Sequence, residues 1–281
     1  MQPLLFQHLF LPSYIILLLI WKMHSLSLID LGIGYGKRYI QQSLNIVAVA
    51  GNMICLLGTN GCGKSTLLRT LAGLQPALHG CVKADDNVNL TSMSETERSK
   101  WISVVLTDRL SADRTVVRDI VAMGRYPYTS MLGRISQADA LVIDNALRQT
   151  EMYDKQERYF NRLSDGEKQR TLIAKALAQQ TPVVLLDEPT AHLDLPNRIK
   201  TLLMLRRLAH EAKRVVIIST HELNLALQTA DNIWLMTPDN GIAVGTPEQM
   251  VQAGTFQKAF EDEHFNFVNV AGSLRLHIKD I

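Results

Sequence analysis

Apolar residues along this chain come in two rhythms. Short, almost wholly apolar runs at Met53 to Leu57, Ile102 to Leu106, Val183 to Leu186 and Val215 to Ser219 read as strands buried on both faces. Between them, apolar residues recur every three or four positions: Leu67, Leu68, Leu71 and Leu74; then Leu172, Ile173, Ala176 and Leu177. That spacing predicts helices. Val116 to Met123 and Ala138 to Thr150 read as helical too, so the stretch from about Leu110 to Arg162 is a mainly helical insertion. Ser25 to Leu31 alternates as a strand with one wet face, and the glycine-rich Gly32–Gly36 is expected to turn the chain into a second strand near Ile46 to Ala50. Gly80 to Lys83 predicts a short strand. Ile233 to Met236 and Ile242 to Val244 predict a hairpin around Pro238-Asp239-Asn240-Gly241, and Phe265 to Ile278 reads as β structure. Strands and helices in alternation make the fold α/β.

The chain has 281 residues and a formal net charge of +2. Basic residues form no long run, so nothing asks for nucleic acid. Cys55, Cys62 and Cys81 have neither metal-ligand spacing nor a disulfide framework. Residues 1–22 stand apart. Positions 1 to 21 carry no Asp, Glu, Lys or Arg, but Gln7, His8, Pro12 and Ser13 interrupt the apolar run a spanning helix needs. A signal peptide would carry a basic start and a small-residue cleavage site, and neither is evident. The remaining reading is an over-long start with Met23 opening the working protein, or, if translated, an appended anchor. The expected division is therefore 1–22 extension, 23–260 main domain and 261–281 β tail.

The chemistry begins at the first buried strand. Gly58-Thr59-Asn60-Gly61-Cys62-Gly63-Lys64-Ser65-Thr66 fits G-x-x-x-x-G-K-[ST] at every fixed position, between an apolar strand and a helix. Glycines let backbone N–H groups turn inward around phosphate oxygens, and the following helix adds the positive end of its dipole. Lys64 can reach the outer phosphates and Ser65 can place a hydroxyl on a magnesium ion. The run Val183 to Leu186 ends in Asp187-Glu188-Pro189-Thr190. Asp187 suits the metal, and Glu188 can orient and deprotonate a water. His221 follows the run ending at Ser219, at the mouth of the sheet where ligands of open α/β folds bind. Tyr35 stands 23 positions before Gly58 and can stack on a base. Ser164 and Glu167 form a capping box on the next helix, as do Ser94 and Glu97 on a short one. Cys62 has two readings: a small residue that fits, or a thiol activated by Lys64 and nearby N–H groups. Glu261-Asp262-Glu263-His264 reads as a solvated face.

Together these segments resemble the ATP-binding cassette family, the nucleotide-binding subunits of ABC transporters. The resemblance covers about residues 25 to 260. It rests on the phosphate loop, the signature-like Leu163-Ser164-Asp165-Gly166-Glu167, Leu185 to Thr190, the turn Ala191-His192-Leu193-Asp194, and His221. Ser164 precedes Asp187 by 23 positions, a spacing specific to that family. The resemblance implies a P-loop cassette with a mixed core sheet, an N-terminal antiparallel β subdomain and an α-helical subdomain insertion at about 110–162. It implies ATP with Mg2+, and a head-to-tail homodimer under two membrane permease subunits, at the cytoplasmic face of the membrane, served indirectly by a substrate-binding protein. Tyr35, residues 58 to 66, Asp187, Glu188 and His221 would come from one chain, and Ser164 and Gly166 from the other.

Two segments depart from the family pattern. Where it has Gln after the strand at Ile102 to Leu106, this chain has Thr107 and Asp108. The signature has Asp165 for Gly and Glu167 for Gln, two acids near a γ-phosphate unless they point away. Val121 to Tyr128, with Gly133-Arg134, is similar to importers of iron–siderophore complexes, haem or cobalamin. Zinc or manganese importers, non-transport ABC ATPases and a regulatory ATP binder are the alternatives. A single cassette without a coiled-coil insertion or basic arm speaks against DNA or ribosome work, and Glu188 with His221 speaks against a mere binder.

Overall fold

The computed structural model describes residues 25–85, 87–106, 112, 114–129, 133–237, 241–260, 265–270 and 273–278. The N-terminal extension, Thr107 and Asp108, the turn residues Pro238 to Asn240, and Glu261 to His264 lie outside the described residues.

Two sheets face each other. The first contains β1 (Ser25–Tyr35), β2 (Arg38–Val49), β4 (His79–Ala84) and β5 (Val88–Asn89), antiparallel, in the order β2-β1-β4-β5. The second contains β3 (Met53–Gly58), β6 (Ile102–Val105), β7 (Val183–Leu186), β8 (Val215–Ser219), β9 (Asn232–Thr237) and β10 (Gly241–Gly245), in the order β10-β9-β3-β8-β7-β6. Its strands are parallel except β10, which returns antiparallel to β9, so the sheet is mixed as expected.

The apolar runs are explained by packing on both faces. Ile54, Leu56, Leu185 and Ile217 point to the core shared with β1, β2 and β4. Met53, Cys55, Leu57, Val184, Val216 and Ile218 point to the opposite core. Period-two alternation thus survives in direction but not in polarity, because both sides are dry. Helix α1 (Lys64–Leu71) lies in the first core, through Leu67, Leu68 and Leu71. Helices α2 (Glu95–Arg98), α3 (Val117–Ala122), α4 (Gln137–Gln149), α5 (Asp165–Ala178), α6 (Leu195–Glu211), α7 (Leu223–Thr229), α8 (Pro247–Gln252) and α9 (Thr255–Phe260) follow. Residues of α3, α4, α5 and α6 build the second core. The tail is β structure as expected, β11 (Phe265–Val270) pairing antiparallel with β12 (Ser273–Ile278).

Two expectations fail locally. Gly32 to Tyr35 do not turn; they continue β1, and the turn is confined to Gly36 and Lys37. A Cβ on Gly32 would strike the His79 ring, and one on Gly34 the Arg38 carbonyl, so these glycines serve close strand approach. Leu74 does not join the stripe of α1. The helix ends at Leu71, Gly73 turns left-handed at φ 70, and Leu74 is exposed.

The helical insertion is tied to the core at one end of α5. Buried Arg125 donates from Nε to Asp139 Oδ1 at 2.8 Å and from Nη1 to the Ala178 carbonyl at 2.7 Å. Gln179 Nε2 in turn donates to the Ile102 carbonyl at 3.1 Å, at the start of β6.

Candidate functional site

The phosphate loop joins the end of β3 to α1. Three of its glycines have φ that L-residues avoid: 147 at Gly58, 80 at Gly61 and 104 at Gly63. A Cβ at Gly58 would stand 2.6 Å from the Met236 carbonyl, and one at Gly63 2.6 Å from Ile40 Cγ2. Gly63 occupies the N-cap of α1, with no side-chain cap and no acid in the first turn. The helix therefore keeps its N-terminal N–H groups for something outside the chain. Lys64 folds back over the loop: its Nζ donates to the Gly58 carbonyl at 2.9 Å and the Thr59 carbonyl at 3.1 Å. Ser65 is exposed. Tyr35 is exposed at the end of β1, its hydroxyl 3.2 Å from Thr66 Oγ1. An open cleft of ≈ 570 Å³ is lined by Tyr35, Arg38, Tyr39, Thr59, Asn60 and Gly61, among others.

Strands β7 and β8 end beside this loop, because β8 is the neighbour of β3 and β7 the next one out. Asp187 is buried, and its Oδ1 accepts from Ser219 Oγ at 2.6 Å. The same Ser219 Oγ accepts the Glu188 N–H at 2.8 Å. Glu188 adopts φ 47, a left-handed conformation costing about 1–3 kcal/mol for a residue with a Cβ. Its Oε1 lies 3.7 Å from His221 Nδ1 on the adjoining strand end. Glu222 secures that end, 3.2 Å from Arg198 Nη1 and 3.5 Å from Thr190 Oγ1.

Tyr35, the phosphate loop, Asp187, Glu188 and His221 thus gather at one sheet mouth. Ser164 and Gly166 do not join them: among the described residues neither shares a hydrogen bond with the loop. Gly166 lies instead against α6, where a Cβ would be 3.6 Å from Asn197 Cγ. At the start of α5 the two acids behave differently. Glu167 turns back as expected, accepting the Ser164 N–H at 2.8 Å and pairing with Lys155 Nζ at 2.6 Å. Those hydrogen bonds, Lys155 first, hold its carboxyl down at about 2. Asp165 stays exposed, 3.6 Å from Lys168 Nζ.

Two points correct or extend the sequence reading. Burial pushes the Cys62 thiol up, and Lys64 with the backbone N–H groups offsets that only in part, against the activated-thiol reading. Ser219, which ties Asp187 to Glu188, was not singled out from sequence. Its signal was there, a single hydroxyl closing an otherwise apolar strand.

A buried strand, a bare helix N-terminus behind a glycine loop and a neighbouring strand ending in a buried Asp define a phosphate-loop nucleotide-binding domain. A family model described as ABC transporter matches residues 42–191. The petrobactin import ATP-binding protein of Bacillus anthracis is 36% identical over 83% of this chain and 85% of its own. The iron(3+)-hydroxamate import ATP-binding protein of Bacillus subtilis is 35% identical over 85% of this chain and 88% of its own. An inward-facing metal-chelate type ABC transporter has a chain that superposes with a TM-score of 0.74, at 28% identity, covering 91% of this chain and 96% of that one. The chain belongs to the ABC transporter family, as an ATP-binding subunit with ATPase activity.

Proposed function

We propose that this chain is the ATP-hydrolysing subunit of an importer for iron–siderophore, haem or cobalamin compounds. It works as a head-to-tail homodimer under two membrane permease subunits, with a substrate-binding protein delivering the cargo, at the cytoplasmic face of the membrane. The import function and cargo group rest on the relatives, among them the cobalamin import ATP-binding protein of Halobacterium salinarum, 37% identical over 75% of this chain and 52% of its own. Among the described residues no helix is long and apolar enough to cross a membrane.

One observation carries the enzymatic reading: Glu188 and His221 meet at 3.7 Å beside a helix N-terminus that the chain leaves uncapped. ATP places its phosphates on the loop N–H groups and Lys64, with its base on Tyr35. Glu188 takes the proton of the attacking water as the new bond forms at the γ-phosphorus, and the bond to the ADP oxygen breaks. Ser219 holds Glu188 in its left-handed turn for that task. His221 contacts the γ-phosphate. Ser164 and Gly166 of a second copy cover it from the opposite side.

Ser65 and Asp187 supply hard oxygen donors that fit Mg2+. Among the described residues no group of three or more His, Cys, Asp or Glu could hold a metal alone. When bound, Mg2+ neutralises charge on the β- and γ-phosphate oxygens.

The test is ATP turnover and dimer formation in the full chain and in Glu188→Gln. Turnover in the parent, with at least 100-fold less in the variant and ATP-held dimers accumulating, is expected. Equal turnover in both would remove Glu188 as the base, and an ATP-loaded variant that stays monomeric would remove the shared site.

A further inference from the structure

A second cavity system lies away from the nucleotide cleft, between α5 and α6. Its outer chamber, ≈ 350 Å³, is lined by Arg170 of α5 and by Lys200, Leu203, Met204 and Arg207 of α6, with Glu151 opposite. Its inner chamber, ≈ 160 Å³, shares Met204 and Arg207 and runs on to Ile173, Leu177, Leu205 and Leu208. Those four side chains are buried. The inner chamber is about as open to solvent as the outer one and is also lined by Gln149, Arg207 and Glu211, and its apolar side has room for a short tail.

The two ends have opposite character. Three cations ring the outer chamber, and among the described residues none of them is paired with a carboxylate, although Glu151 shares the wall. Arg170 Nε is buried without a hydrogen-bond partner. That Nε has no accessible surface, so Arg170 would meet a ligand through its terminal guanidinium nitrogens. Glu211, one helical turn after Arg207, lines the inner chamber with it but forms no ion pair with it among the described residues, and Lys200 lies eleven residues before Glu211, about 16 Å along the helix axis.

We propose that this groove binds an anionic amphiphile: a phosphate or carboxylate head between Arg170, Lys200 and Arg207, with a short alkyl or aryl tail in the inner chamber. Arginine's planar fork suits either head. The ligand would bridge α5 to α6, the helices whose N-terminal ends meet at Gly166 and Asn197. It would thereby tie down the helix that carries Ser164. The proposal is independent of the cargo and of the roles given to Glu188 and His221.

The experiment is calorimetric titration of the full chain with hexyl phosphate, with saturating ADP keeping the phosphate loop filled. Inorganic phosphate and hexanol serve as the two half-ligands. Hexyl phosphate is expected to bind at least tenfold more tightly than either half. Lys200→Gln with Arg207→Gln should weaken it at least tenfold and leave ADP affinity unchanged. In the unaltered chain, methyl resonances of Ile173 and Leu208 should shift on addition. Sedimentation with phosphatidylglycerol vesicles, abolished by the same double variant, would identify the head as a membrane lipid's. Hexyl phosphate binding without sedimentation would identify a soluble ester. Equal binding by the variant, equal affinity for the half-ligands, or still methyl resonances would each overturn the proposal.

Discussion

The two helix N-termini that the proposed mechanism uses are finished in opposite ways. Helix α1 begins at Gly63, with no capping side chain and no acid in its first turn. Helix α5 begins at Ser164, with a complete capping box and two acids, Asp165 and Glu167, in its first turn. A helix end costs stability unless its N–H groups find partners. α5 meets part of that cost from its own chain, Ser164 Oγ accepting the Glu167 N–H and Glu167 the Ser164 N–H. α1 leaves it unmet, so its donors stay available to phosphate, and the nucleotide becomes part of the loop's stability. In the proposed dimer the first end would meet phosphate directly and the second would be offered from another copy.

The sharpest way to break the contrast is at Lys64. Its ammonium bridges two loop carbonyls at 2.9 and 3.1 Å. Lys64→Ala should weaken ATP binding by about 100-fold, each charge-assisted bond contributing about 1.5–3 kcal/mol. Fluorescent-nucleotide titration checks this, and unchanged affinity would deny the bare end its anchor. Ser219→Ala comes next. It removes the 2.6 Å bond to Asp187 and the 2.8 Å bond to the Glu188 N–H. Turnover should fall about tenfold and stability by about 1–3 kcal/mol, since buried Asp187 is left short of a donor. A melt and a kcat measurement separate the two effects.

Glu167→Gln tests the capped end. The Glu167 carboxyl lies at about 2, below its ordinary value of 4.5. Its lowered folded pKa contributes stability that is present above pH 4.5 and lost as pH falls toward 2. The variant should be less stable by about 1–2 kcal/mol at pH 7, after allowing for solvent around the Lys155 pair. The gap should close in melts taken between pH 4.5 and 2. A constant gap across that window would mean that packing, not charge, sets the cap. The smallest effect belongs to Asp165→Gly. In the proposed dimer exposed Asp165 would face the partner's γ-phosphate through water, so its loss should lower the KM for ATP about twofold, and less in high salt. Cys62 adds a check on the loop itself: its buried thiol should alkylate more slowly than half-buried Cys81, with or without ATP.

Much of this was legible because it is local. The phosphate loop, the strand ending at Asp187 and the capping boxes at Ser94 and Ser164 depend on neighbours within a few residues. Gly32 and Gly34 misled because a glycine marks either a turn or a close approach, and only the partner strand tells which. Leu74 misled because a period continues on paper past the point where Gly73 ends the helix. Ser219 was visible but silent, since its meaning is a pair of bonds to residues 31 and 32 positions away.

Cys62 makes the same point for chemistry. Its neighbours in sequence argue for an activated thiol, while the surrounding protein buries it and reverses the balance. The sequence by itself determined the α/β class, the phosphate loop, the acids at the strand end and the caps, because hydrophobic period and capping are short-range. Only the tertiary structure decided that Glu188 meets His221, that Lys155 neutralises Glu167, and that three cations face one groove. Those depend on which strands and helices become neighbours, and packing settles that across the whole chain.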